Sequence, residues 1–389
     1  MAENAQGTVA GPIWLTNQEV HQILTMEDCL EAVEEVYYEH GAGRAINPPL
    51  INVITPDGRA PDDSMEIYHW LRSMPGGAEK FGLASVGISS YRIGYRETDG
   101  MKNKVRLPTS EGNQYTAVQI FFSTSTGLPV LMCADGHLQR MRVGATAGLG
   151  VKYMAREDSE VLCILGTGYQ AETHVQATCL VRPIKKIKVY SRDPERRAQF
   201  AKRMQDLVGV ETIAMDSARE AVRGSDIVLT TTNSLKPVFF GEWLEPGMHV
   251  GTVLDLELDV DALTTFDVIV TSRRGVLWQD HTMGDPENDR PPEGNPHNLP
   301  HYNQSKELRG RPEIPIDWSK VPTIGEVMNG DASGRTDAKQ ITYFCSVGDG
   351  MGFVAVGSKL LKAAKAKGVG HELPLDLWQS QVDDWATLT

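Results

Sequence analysis

The residues best placed to do chemistry lie at 160–175, EVLCILGTGYQAETHV. An apolar run ends in Gly166, Gly168 and Ala171, and helix-compatible residues follow. Gly166 permits a tight turn, Gly168 lets backbone amides close on a pyrophosphate, and Ala171 keeps the next helix close to the strand. The helix start adds unpaired amides and a favourable dipole. With Thr167, Tyr169 and Gln170 between them, residues 166–170 form the predicted dinucleotide cradle. An NAD site needs an acid about 20 residues further on, at the end of the next strand. Ser191 and Arg192 stand there instead, with Arg196 and Arg197 close behind. They suit the 2′-phosphate of NADP, because a guanidinium matches a phosphate in shape and charge. Asp193 keeps NAD possible, since a one-residue shift restores an acid. Thr231, Thr232 and Asn233 end a run beginning near Ile227 and are expected to line the nicotinamide side of the crevice.

Positioning these groups requires alternating strands and helices. The pattern predicts a helix around 139–154, a strand at 161–165 and a helix at 170–180. A strand at 187–190, a helix at 194–207 and the run from 227 follow. Such alternation with short loops makes an α/β fold, a parallel sheet covered on both faces. Residues 44–130 differ: short β-branched or apolar runs at 50–54, 84–93 and 115–122 are separated by PDG, PGG and STSTG turn signals. Ahead of them Thr25 opens a helix carrying Leu30, Val33 and Tyr37 at helical spacing. Residues 278–320, rich in Pro, Asn, Asp and His, read as an inserted surface loop. A strand-like ITYFCSVG and the helical GFVAVGSKLLKAAKAKG close the pattern.

A chain of 389 residues suits two domains. A formal charge of −13 argues against nucleic acid as a partner. No apolar run approaches the roughly 20 residues that span a bilayer, and the first residues lack the basic start and apolar middle of a signal peptide. Five scattered cysteines with no CxxC pair suggest neither a disulfide framework nor a zinc site, so a reduced, cytoplasmic protein is expected. His281, His297 and His301 lie in the 278–320 loop, but Pro300 keeps the last two off a shared helical face. No metal is expected there.

The segments QRMRVGATAGLGVKYMARED and ILGTGYQAETHVQA, with STSTGLPVLMCADG before them and GTVLDLELDVDAL and GVGHELP after, resemble the ornithine cyclodeaminase/μ-crystallin family. The similarity spans residues 25–275 and 335–380. It implies a Rossmann-type dinucleotide-binding domain, 138–334, inserted into a β-rich substrate and dimerisation domain, 1–137 plus 335–389. It also implies a homodimer, and nicotinamide-linked redox at the α-carbon of a small imino or amino acid. By the same resemblance Arg44 and Arg142 hold the substrate carboxylate, and Asp255 assists proton transfer with Glu257 and Asp259 as competitors. The family lysine expected at residues 86–88 is missing, Gly87 standing there; Arg92, His69 or Lys80 are the substitutes to consider. Ser123 replaces the usual Asp before TG, and Val143 the Thr after Arg142. Three activities follow: an NADP-linked imine reductase or amino-acid dehydrogenase, a cyclodeaminase that retains NAD, and a non-catalytic NADP-dependent ligand binder.

Overall fold

The computed structural model describes residues 11–59, 65–98, 101–112, 114–234, 236–253, 255–274, 278–282, 316–346 and 348–380. The chain opens with β1 (Ile13–Leu15), α1 (Asn17–Ile23) and α2 (Met26–Gly41), the last capped by Thr25, whose hydroxyl accepts the Asp28 amide at 3.1 Å. Strands β2 (Ala45–Ile46), β3 (Leu50–Arg59), β4 (Glu66–Ala78), β5 (Leu83–Thr98), β6 (Met101–Leu107), β7 (Thr116–Ser123) and β8 (Pro129–Ala134) follow. The long helix α3 (Asp135–Met154) leads out of them. Then come β9 (Val161–Leu165), α4 (Ala171–Val181), β10 (Lys186–Tyr190), α5 (Pro194–Val208), β11 (Glu211–Ala214), α6 (Ala218–Val222) and β12 (Ile227–Thr230). The described chain ends with β13 (His249–Thr252), α7 (Val260–Thr265), β14 (Val268–Thr271), β15 (Trp278–Thr282), α8 (Ile324–Asn329), β16 (Thr342–Cys345), α9 (Met351–Lys367) and β17 (His371–Glu372).

The second sheet is all parallel, in the order β11-β10-β9-β12-β13-β16-β14. VLCIL and IVLT are near-continuous apolar runs, and HVGT and TYFC are buried at every position, because both faces of these strands are covered. Strand order reverses between β9 and β12, and in doubly wound sheets ligands bind beyond the carboxyl ends of the strands at such a reversal. The glycine turn leaves β9 there, and Thr231–Asn233 leave β12 beside it. This is the Rossmann-type arrangement expected. The first sheet runs β15-β3-β4-β5-β7-β8-β1-β17, with β2 on β4 and β6 on β5. Helices α1, α2, α3 and α9 share one apolar core with β8 and β1, and that core reaches Phe344 of the parallel sheet. Helix α3 is buried along most of its length because it packs on α2 and on α4.

Three expectations are corrected. PDG and PGG are not turns: β3 runs through Pro56-Asp57-Gly58 with a bulge, and β4 runs through Pro75-Gly76-Gly77. Gly76 is required by close approach instead, since a Cβ there would collide with the Gly350 backbone ahead of α9. The 278–320 segment is not wholly a loop on the Rossmann domain; Trp278–Thr282 adds an edge strand to the first sheet, parallel to β3. The chain does not return to the first domain at 335, because β16 fills the place between β13 and β14. His297 and His301 lie outside the described residues. No helix among the described residues is long and apolar enough to cross a membrane.

Candidate active site

The glycine turn has the geometry of an anion cradle. Gly166 has φ +106°, and its amide donates to Tyr190 O at 2.8 Å, which ties the turn to β10. A Cβ on Gly166 would meet Thr232 Cγ2 at 2.9 Å and the Thr231 backbone at 3.0 Å. A Cβ on Gly168 would meet only Thr231 O, at 3.8 Å. Packing within the protein therefore explains Gly166, whereas nothing in the fold itself crowds the backbone at Gly168. Gln170 caps α4 without a side-chain bond to its amides, so the helix start keeps donors for an anion. Thr167 Oγ1 donates to Ser191 Oγ at 3.1 Å, Gln170 Nε2 to Gln139 Oε1 at 3.0 Å, and Tyr169 OH to Gly136 O at 2.6 Å. The last two bonds attach the turn to α3.

At the ribose end the alternative acid is already engaged. Asp193 caps α5, accepting the Glu195 and Arg196 amides, both at 3.0 Å. Arg196 is 81 % exposed and 3.4 Å from Asp193 Oδ2. Arg192 is exposed at the same rim. Arg197 turns inward, donating to Ser191 O at 2.9 Å and Asp216 Oδ1 at 3.1 Å, and so fixes the Ser191 backbone.

Beyond β12, Thr231 Oγ1 donates to Gly166 O at 3.1 Å. Thr232 donates twice to Glu257 Oε1, from its amide and its hydroxyl, both at 2.7 Å. Asn233 is exposed at the rim. Glu257 is 2 % exposed and links the loop after β13 to the segment that follows β12. Asp255 opens the same one-turn helix, Asp255–Glu257, but its side chain lies outside the described residues. Asp259 is occupied in capping α7, accepting the Ala262 amide at 2.8 Å.

Burial raises the Glu257 carboxyl from 4.5 to about 7, against the lowering effect of the Thr232 and Thr230 hydrogen bonds. A carboxyl whose folded pKa lies above its unfolded value binds its proton more tightly when folded. Its contribution to stability is full below the unfolded pKa and is lost as pH rises through about 7. Glu257→Gln should therefore remove a fall of about 3 kcal/mol between pH 4.5 and 7. Urea unfolding of both proteins across that range checks it; parallel pH profiles would refute the assignment.

Arg142 is buried, at 2 % exposure, and its Nη1 donates to the fully buried Asp349 Oδ2 at 3.4 Å. Tyr37 OH donates to the same oxygen at 2.9 Å, and the Gly352 amide to Asp349 Oδ1 at 2.5 Å. The guanidinium lies 4.7 Å over the Phe353 ring, and its Nε has no partner among the described residues. Arg44 has a different partner. It forms a two-point bridge to Glu39, at 2.6 and 3.0 Å, and is 46 % exposed. The structure thus gives the two predicted arginines separate carboxylates.

Sheet parity sorts the proposed lysine substitutes. Gly87 pairs with Met74 and Gln119, on the face that carries Arg72 and Ser89. His69 and Arg92 pair with each other on the opposite face, bonded to Ser90 and Asp57. Lys80 bridges Glu35 of α2 at 2.6 Å. The polar groups on the Gly87 face include Arg72, which donates to Asn52 Oδ1 at 2.8 Å, and Gln119, which donates to Asp135 of α3. Gln119 and Asp349 escaped the sequence reading. A lone polar residue at an inward position of TAVQIFFS, and an acid between glycines ahead of an apolar helix in SVGDGMGF, were the available signals.

Comparison with known proteins agrees with this geometry. The model of the ornithine cyclodeaminase/mu-crystallin family matches residues 12–357. An alanine dehydrogenase of Archaeoglobus fulgidus is 28 % identical over 369 residues, 92 % of this chain and 97 % of that enzyme. A Δ1-pyrroline-2-carboxylate reductase of Bacillus cereus is 29 % identical over 253 residues, 64 % of this chain and 70 % of that enzyme. Among solved structures, an archaeal alanine dehydrogenase dimer with bound NAD superposes with a TM-score of 0.68 at 27 % identity, covering 93 % of this chain and 99 % of that one. With its glycine turn at the switch point and a matching model along most of its length, this chain belongs to the ornithine cyclodeaminase/mu-crystallin family.

Proposed function

We propose that this protein is an NADP(H)-linked oxidoreductase acting at the carbon–nitrogen bond of a small α-imino or α-amino acid. The observation that carries this is the Tyr169–Gly136 bond, which sets the glycine turn directly beside the helix bearing Arg142. The characterised relatives act at such bonds: a pyrroline-carboxylate reductase and an alanine dehydrogenase. The residues present fit a dinucleotide, with open space over Gly168 and uncapped α4 amides for the pyrophosphate. Thr167 and Gly166 shape the turn, while Thr231, Thr232 and Asn233 border the nicotinamide side. Ser191, Arg192 and Arg196 would take a 2′-phosphate, because Asp193 is spent on its helix cap. The bound cofactor supplies hydride chemistry. The chain supplies orientation: Arg142, held by Asp349, grips the substrate carboxylate. Arg44 joins it only by leaving Glu39. Asp255 manages the proton at nitrogen from the loop that Glu257 anchors.

A second copy of this chain would cover the outward face of the first sheet, where Ile51, Val53 and Leu71 stand exposed on adjacent strands. The archaeal relative is itself a dimer.

The test is NADPH against NADH binding, followed by a panel of cyclic and linear α-imino acids, on material whose mass is read by light scattering. NADPH preference, oxidation on adding an imine and a dimer mass are expected. Replacing Ser191 and Arg192 together by alanine should weaken NADPH by roughly 10- to 100-fold and leave NADH nearly unchanged. NADH preference, or co-purified cofactor that never shows net turnover, would favour a cyclodeaminase or a non-catalytic binder.

A further inference from the structure

On the inward face of the first sheet a carboxamide lies over a glycine. A Cβ on Gly87 would collide with Gln119 Nε2, so the Gln119 side chain, from the neighbouring strand β7, occupies the volume a side chain at 87 would take. That is the position where the family resemblance expects a lysine. Gln119 is 2 % exposed, and its Nε2 donates to Asp135 Oδ1 at 3.2 Å. Its Oε1 is buried with no partner among the described residues. Leaving such an acceptor unmet destabilises the site, and a ligand N–H would remove that cost. Asp135 is buried too, within electrostatic reach of Arg142, Arg106 and Arg72.

Asp135 and Arg142 are seven residues apart on α3, two turns along one face and roughly 10 Å in axial rise. Long side chains on a helix lean toward its N-terminus, which brings the guanidinium back toward the acid. One helix face thus carries an acidic and a basic pole. The Tyr169–Gly136 bond holds the acidic pole beside the glycine turn.

We propose that Gln119 and Asp135 receive the substrate's nitrogen: Gln119 Oε1 and the Asp135 carboxylate accept its N–H bonds while Arg142 holds its carboxylate. This rests on the C–N oxidoreductase assignment and names what meets the other end of the substrate. The ligand class is an α-iminium or α-ammonium carboxylate. The corresponding oxo acid has no N–H and leaves both acceptors unmet, so the pair selects imine over ketone.

The experiment uses the full chain with NADP(H) present and measures binding by calorimetry. The probes are two matched pairs, L-proline against tetrahydrofuran-2-carboxylate and L-alanine against propionate. Within each pair both members carry the carboxylate and only one carries the N–H. Wild type should prefer the nitrogen-bearing member of at least one pair by tenfold or more, as expected for a charge-assisted hydrogen bond. Gln119→Met and Asp135→Asn should shrink that preference to threefold or less, with affinity for the oxygen or plain-acid probe unchanged. Should Asp135→Asn fail to fold, Gln119→Met carries the test, since it changes one strand side chain of similar size. A folded Gln119→Met that keeps the full preference overturns the inference, as does a wild type with no preference in either pair. Oxidation of NADPH on the imine panel is scored separately: turnover without nitrogen preference sinks this inference alone, and absence of both sinks the functional assignment with it.

Discussion

Arg142→Met should lower kcat/KM by about 1,000-fold, with the loss in kcat as well as KM, and should also destabilise the fold. The catalytic loss follows from removing a guanidinium that fixes the substrate's carboxylate over the reacting carbon. The stability loss has a different origin. Asp349 is fully buried and would lose the guanidinium paired with it, keeping the Tyr37 hydroxyl and the Gly352 amide, with Arg273 within electrostatic reach. Breaking one side of a buried pair costs about 3–5 kcal/mol, because the remaining charge loses the group hydrogen-bonded to it. The two effects separate in Arg142→Met with Asp349→Asn, which removes both charges. That double variant should regain much of the lost melting temperature and none of the activity. Recovery of activity together with stability would show that Arg142 acts only through folding.

The two glycines of the turn should fail in opposite ways. Gly166→Ala places a Cβ against Thr231 and Thr232 at a φ of +106°, so it should lower stability by about 1–3 kcal/mol and weaken cofactor only in proportion. The Cβ of Gly168→Val would meet nothing closer than Thr231 O at 3.8 Å, and the variant should melt like wild type. It should nevertheless raise the Kd for NADPH on the order of 100-fold, because the new side chain stands where a pyrophosphate must approach the backbone. Melting curves with and without NADPH, plus a fluorescence titration, measure both. Unchanged NADPH affinity in Gly168→Val would remove the cradle from this turn.

Much of this was legible in the sequence where signals are local. Strand β9 (Val161–Leu165), the glycine turn and α4 could be read from one short window, because apolar run, glycines and helix start are contiguous. The position of Ser191 and Arg192, directly after β10, was legible for the same reason. PGG misled, since Gly76 answers to the backbone of Gly350, 274 positions further on, and no local pattern reports such contact. Strand β16 was recognised as a strand but given to the wrong sheet; its partners β13 and β14 are a matter of topology. Gln119 over Gly87 was hidden for a related reason, because only the register of β5 on β7 brings them together. Sheet parity likewise favours Arg72 over His69 and Arg92 as the cation on the inward face.

The interleaving of the two sheets has a consequence for how the molecule can be taken apart. Among the described strands the backbone passes between sheets from β8 to β9, β14 to β15, β15 to β16 and β16 to β17. Any single cut that frees the parallel sheet from the first sheet therefore leaves one of them short of a strand. At the outer edge β1 pairs with β17, so the beginning and end of the described fold are laced together, Trp14 beside His371. The cofactor half cannot be excised as an autonomous module in the way that a tandem domain can. By contrast, joining the two ends and reopening the chain at an exposed surface loop, as in a circular permutant, would preserve every strand pairing.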